Sequence, residues 1–150
     1  MPSPAQLQHS LIDYWQTVCP DELPTLWPGR KADPQAWQQW CELRVDSWTQ
    51  PIQRLGRSHI ACVITLRLFV RQITSSTETT LPSLHSRLEQ LQTVVTQAWH
   101  EQTIPILNDL PENPASIIGY LRVADLTSRS IETSAPTLLG REFLITARTS

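Results

Sequence analysis

The stretch SHIACVITLRLFVRQ, residues 58–72, decides the fold. Ile60, Cys62, Ile64, Leu66, Leu68 and Val70 recur at every second position, so they share one face of an extended strand. The opposite face reads Ala61, Val63, Thr65, Arg67, Phe69 and Arg71 and is partly apolar. Most strands run to about 5–6 residues, so this one is long. Upstream, residues 37–48 alternate as well, with Cys41, Leu43 and Val45 on one side and Glu42, Arg44 and Asp46 on the other. Pro51 and Gly56 break the chain between the two runs. Together they read as a long antiparallel hairpin. Its tip, residues 50–57, is expected to project from the body and to rest on something, because an isolated hairpin is marginal in water.

Working outward, residues 4–18 read as a helix. Ser3 can cap it and Pro4 suits the first helical position. Leu7, Leu11, Tyr14, Trp15 and Val18 form its apolar stripe. Residues 20–35 hold Pro20, Pro24, Pro28 and Pro34 and read as a stiffened loop around Trp27-Pro28-Gly29-Arg30. Residues 73–80 are a polar linker. A second helix is expected over 82–102, with Leu84, Leu88, Leu91, Val95, Ala98 and Trp99 on one face. Residues 104–107 form a short strand that Pro105 marks as an edge. Strands follow over 117–124 and 141–148, and 126–139 reads as a loop or extended arm. The order α-β-β-α-β-β-β predicts an α+β fold: a mostly antiparallel sheet with a long hairpin, packed against one long helix and an N-terminal helix.

With 150 residues the chain is expected to form one domain, residues 1–150. A net charge of −2 argues against a strongly basic nucleic-acid binder. Gly occurs only at 29, 56, 119 and 140, so neither GxGxxG nor GxxxxGK[ST] can be written. Cys19, Cys41 and Cys62 form no CxxC motif, and Met1-Pro2-Ser3-Pro4 lacks a basic, then apolar, leader pattern. The expectation is a soluble protein made in a reducing cytoplasm, with no membrane partner. Eleven of the 12 basic residues are Arg. Genomic bias explains this, and so does a surface covered by partners, since interfaces favour Arg over Lys.

The search for chemistry returns no site. His9, His59, His85 and His100 are scattered, HExxH is absent, and no GxSxG elbow exists. No catalytic residue, metal ligand or cofactor-binding residue is therefore assigned, and no enzyme activity or cofactor is expected. Cys41 and Cys62 lie on strands expected to pair, and small buried hydrophobes explain them better than redox work. Trp15 and Trp99 fall on helix stripes and read as core. Trp27 is either local packing or a partner contact. Trp40 and Trp48 fall with the polar residues of their strand, which suggests that this face is covered by the first helix or by another subunit.

Charge is distributed in blocks. The formal charge is −3 over 1–50, +4 over 51–72, −4 over 73–119 and +1 over 120–150. Arg54, Arg57, Arg67 and Arg71 carry the basic block. Intramolecular neutralisation accounts for this, and so does complementarity between neighbouring subunits in a head-to-tail ring.

An opening helix, the Trp27-Pro28-Gly29 loop, the strand 59–71, one long helix and closing strands resemble the tail terminator proteins of long-tailed bacteriophages. The closing runs are Gly119-Tyr120-Leu121-Arg122-Val123 and Phe143-Leu144-Ile145-Thr146-Ala147-Arg148. The resemblance covers most of the chain and rests on patterns, not on a catalytic fingerprint. It implies a virion protein that forms a ring, usually hexameric, on the head-proximal end of the tail tube. Such a ring stops tube growth and docks to the head connector. It also meets the sheath protein where the tail contracts, and DNA passes through its lumen without specific binding. Interface residues expected on this basis are Trp27, Arg30, Trp48, Arg54, Arg57, Arg67 and Arg71. A head–tail connector is the alternative within the same class. A small-molecule-binding α+β domain or an enzyme is the alternative from another.

Overall fold

The computed structural model describes residues 3–29, 33–34, 37–49, 60–72, 81–108, 116–133, 135 and 137–149. The decisive stretch forms β3 (Ala61–Arg71), which has a strand on each side. β2 (Gln39–Thr49) is antiparallel to it, from Gln39 opposite Val70 to Thr49 opposite Ala61. β6 (Leu138–Thr149) flanks it on the other side, from Leu138 opposite Arg71 to Arg148 opposite Ala61. The sheet continues through β5 (Ile117–Ile131) to β4 (Thr103–Leu107). At the other end β1 (Thr25–Leu26) lies parallel to β2. The strand order is β1-β2-β3-β6-β5-β4. Two helices, α1 (Pro4–Val18) and α2 (Leu81–Trp99), complete the described chain.

The expectation of a mostly antiparallel α+β sheet packed against one long helix and an N-terminal helix is corrected. Among the described residues strand outweighs helix, 48% to 30%, and the six strands curl into a half-barrel accompanied by two helices. Three features account for the difference. First, β5 runs on through Ile131, and β6 starts at Leu138, so much of the stretch expected as loop over 126–139 is strand. Thr127, Ser128, Arg129 and Ser130 carry no apolar alternation, and the ladder to β6 holds them extended instead. Second, two residues of the Pro-rich loop form β1, too short for a periodic signal. Third, α1 shares the core with α2: Leu7, Leu11 and Trp15 belong to the same buried cluster as Leu91, Val95 and Trp99. A curled sheet has a hollow, and one helix does not fill it. The 73–80 linker and the 50–57 hairpin tip lie outside the described residues.

The local rules hold within each element. Ser3 Oγ accepts from the Gln6 N–H at 3.2 Å, and Gln6 Oε1 accepts from the Ser3 N–H at 2.9 Å, closing a capping box with Pro4 in the first turn. Cys62, Ile64, Leu66, Leu68 and Val70 of β3 all point into the hollow and are buried. They meet Phe143, Ile145 and Ala147 from β6, and burying each large apolar side chain stabilises by about 1.5–3 kcal/mol. α2 presents Leu84, Leu91, Val95 and Trp99 to the core and ends in a turn where Glu101 adopts φ 54°. Gly140 stands where β6 passes Phe69: a Cβ there would meet the ring at 3.0 Å.

α1 reaches both ends of the sheet. Trp15 Nε1 donates to Thr25 Oγ1 of β1 at 2.8 Å. Ser10 Oγ accepts the Leu107 N–H of the edge strand β4 at 2.8 Å and donates to the Gln6 carbonyl at 2.7 Å. β4 is thus blunted twice, by Pro105, which has no N–H, and by α1. Ser10 is buried, so nothing else hydrates that amide. Ser10→Ala is expected to cost about 1–3 kcal/mol in urea unfolding, the penalty for an unsatisfied buried donor. The Leu107 amide should lose hydrogen-exchange protection in the same variant.

Candidate functional site

The outward face of the sheet carries charge in a row. Register places Glu42 of β2 opposite Arg67 of β3, Arg67 opposite Glu142 of β6, and Glu142 opposite Arg129 of β5. The row therefore alternates in sign across four strands. Its centre is Glu142, whose side chain is 8% exposed. Arg67 Nε donates to Glu142 Oε2 at 2.9 Å, and Arg129 Nε donates to Oε1 at 2.8 Å. Burial pushes the Glu142 carboxyl up, but the two guanidinium hydrogen bonds outweigh it and hold the group below the usual carboxylate range.

Beside this row lies an open cleft of about 340 Å³. Trp27 and Pro28 form one wall, where the chain leaves β1 and turns at Gly29, φ 79°. Glu42, Arg44, Thr65 and Arg67 form the other. Arg44 pairs with Asp46 at 2.5 Å, and Asp46 also accepts from the Thr65 hydroxyl. The cleft is polar and charged on the sheet side and aromatic on the loop side. Trp27 also packs on the core, which is the local-packing reading of it.

Of the seven residues expected at interfaces, the structure brings Trp27 and Arg67 to this cleft. Arg71 lies elsewhere. Its guanidinium sits 4.8 Å over the Trp40 ring and donates to the Pro34 carbonyl. Trp40 stacks on Phe69 at 5.1 Å and is buried. Its cover on the outward face is thus Phe69 and Arg71, not the first helix, which packs in the hollow. Arg30, Arg54 and Arg57 lie outside the described residues, and Trp48 is described for its backbone in β2 alone.

Cys41 and Cys62 are both buried among apolar side chains. Cys41 lies opposite Leu68 and Cys62 opposite Trp48, so the two are far apart along the β2–β3 ladder. Cys41 instead shares a hydroxyl with Cys19: Thr25 Oγ1 lies 3.2 Å from Cys41 Sγ and 3.7 Å from Cys19 Sγ. The pairing of the two thiols lowers Cys19, with further help from the Thr25 hydroxyl, while the same pairing and burial push Cys41 well up against the opposing effect of Thr25. Burial pushes Cys62 up to about 11. Among the described residues, no group of three His, Cys, Asp or Glu could hold a metal ion, and no helix is long and apolar enough to cross a membrane.

A second surface was not foreseen. Ile117, Ile118 and Tyr120 open β5 and are 51%, 41% and 48% exposed. Pro105 of β4 lies directly opposite Tyr120 and extends the patch to the sheet edge. Alternation over 117–124 puts Ile117, Gly119, Leu121 and Val123 on one side and so leaves Ile118 and Tyr120 on the other, but Ile117 departs from it and is exposed, where the β4–β5 register shifts between Ile106 and Leu107. Glu142 was likewise legible as the one acid among the polar positions of the last strand.

No protein-family model and no curated protein matches the chain. A solved structure whose name carries no functional description is similar over 100% of this chain and 97% of its own length. The TM-score is 0.60 and the identity 9%. The likeness shows a shared fold.

Glu142→Gln keeps the shape and removes the charge. At neutral pH it should cost about 1.5–3 kcal/mol in urea unfolding, the range for hydrogen bonds to a charged group. Because the folded state holds this carboxyl low, its contribution is present above the ordinary value of 4.5 and is lost as pH falls through the lower folded value. The gap between wild type and variant should therefore close under acid conditions. An unchanged gap at pH 7 and pH 2.5 (about two units either side of the ordinary value) would refute the assignment.

Proposed function

We propose that this chain is a structural assembly subunit of the tail-terminator kind. It forms a ring, hexameric as in the family it resembles, on the head-proximal end of a phage tail tube. There it stops tube growth and offers a surface to the head connector, and to the sheath where the tail contracts. DNA passes through the lumen without being read.

The observation that supports this reading most is the exposed group Ile117, Ile118 and Tyr120 beside Pro105. Large apolar side chains grouped on a strand surface mark contact with another macromolecule. The alternating charge row on the same outward face adds a polar surface of fixed pattern, which favours one docking register over others. The cleft beside Trp27 is open, and its walls suit an extended segment of a partner better than an enclosed small ligand.

Electron microscopy of the purified protein, alone and mixed with tubes of its cognate tail-tube protein, tests the reading. Rings, or density capping one end of each tube, are expected. Ile118→Asp should leave the far-UV spectrum and Tm unchanged and weaken assembly or capping by about tenfold or more, as an interface anchor would. A protein that stays monomeric alone and leaves tube ends bare sinks the reading.

A further inference from the structure

Two stretches of sheet edge are left unpaired among the described residues, one at each end of the sheet. β1 pairs with β2 no further than Glu42, so among the described residues no strand pairs with 43–49 on that side, where Trp27 and Pro28 stand beside Leu43 and Arg44 across the open cleft. β4 pairs with β5 no further than Arg122, and the Val123 N–H goes to Gln102, so 124–131 have none either. We propose that these two edges join: the β5 edge of one copy of this chain pairs with the β2 edge of the next, so that the sheet runs on from subunit to subunit. The inference rests on the assembly reading above and specifies its subunit contact.

The backbone geometry identifies the groups involved. Cys41 donates its N–H to Pro24 on the β1 side. By alternation Val45 faces the same way, and, after the irregularity between Val45 and Ser47, so does Trp48. On β5, Val123 faces β4, and the irregularity between Val123 and Asp125 resets the alternation. Leu126, Ser128 and Ser130 then face the open side, while Thr127 and Arg129 face β6. The Leu126 N–H bonds to its neighbour Asp125 Oδ1 at 2.9 Å, as expected for an amide with no strand beside it.

Two features select a second copy as the occupant. The two open stretches, 43–49 and 124–131, are of nearly equal length. β2 and β5 run in opposite senses, so joining them extends an antiparallel sheet without reversing a subunit. A contact between two different surfaces is the kind that closes into a ring.

Proline scanning of β5 tests this. In Ser128→Pro the missing N–H belongs to the open edge, so the fold should survive, with Tm close to wild type. In Thr127→Pro the missing N–H belongs to the β6 ladder, so Tm should fall. Ring formation, alone or on tube ends, is read by electron microscopy and sedimentation. Ser128→Pro and, independently, Val45→Pro should weaken subunit association by about tenfold or more. Hydrogen exchange on the assembled wild type should show the Val45, Ser128 and Ser130 amides protected. Rings that form normally in both folded variants, with these amides unprotected, overturn the edge contact and leave the terminator reading standing. If Ser128→Pro itself unfolds, the exchange result on wild type decides. A wild type that forms no ring under either condition removes the reading and the contact with it.

Discussion

The stack of Trp15 on Trp99 is the interaction on which the rest depends. The two rings lie 5.8 Å apart at 20° and are fully buried in the hollow of the sheet. Tyr14 meets Trp99 edge-on at 5.3 Å, and its hydroxyl donates to the Ala98 carbonyl. This cluster joins α1 to α2, and Trp15 Nε1 carries the connection on to β1 through Thr25. Without it the concave face of the half-barrel would hold one helix and a void. Aromatic pairs of this type contribute about 0.5–1.5 kcal/mol beyond the area they bury. Their larger effect is positional, because they fix where α1 lies. From that position α1 reaches β4 through Ser10, so the helix spans the mouth of the curled sheet.

The two faces of the sheet are stabilised by different physics. The inward face is apolar and close-packed, and each residue there acts through burial. The outward face is held by cross-strand pairs: Trp40 on Phe69, Arg71 over Trp40, and the carboxylate of Glu142 between Arg67 and Arg129. The carboxylate is buried while both arginines reach water, at 43% and 77% exposure. The desolvation cost of the pair is thus borne mainly by one group, and two charged donors offset it. The ionic centre stays fixed in position, with charged ends pointing outward on both sides.

How much of this was legible follows from which signals are local. The six inward residues of residues 58–72, the Ser3 cap with Pro4, and Pro105 in an edge strand each have a cause within a few residues, and each stands where the pattern puts it. The balance between sheet and helix was not local. Ser128 and Ser130 are strand because β6 pairs with them, and no apolar period announces that. β1 is two residues held by Cys41 and Glu42 across a sixteen-residue gap, the spacing of Thr25 from Cys41. The neighbour of Cys41 was not legible for a related reason. Both thiols sit on inward faces as expected, but register separates Cys41 from Cys62, and a loop brings Cys19 instead. Among the interface residues, Arg67 was readable as a cation on a strand's polar face. Its partner Glu142 lies 75 positions away and depends on the β3–β6 pairing.

The two ends of the sheet are treated unequally, and the inequality has consequences. β4 is short, contains Pro105, and gives its Leu107 N–H to α1, which are three ways of preventing strand addition. β5 continues past β4 with Asp125, Thr127, Ser128, Arg129 and Ser130 exposed. That run is polar, so its exposure carries little hydrophobic penalty, and Asp125 already occupies one outward amide. An edge of this composition resists indiscriminate sticking, because a partner must displace the carboxylate and match the charges before it gains ladder hydrogen bonds. Selectivity is therefore built into the side chains and adhesion into the backbone. The same run completes the β6 ladder and brings Arg129 to Glu142, so one side of the strand stabilises the subunit while the other is left free to meet a partner.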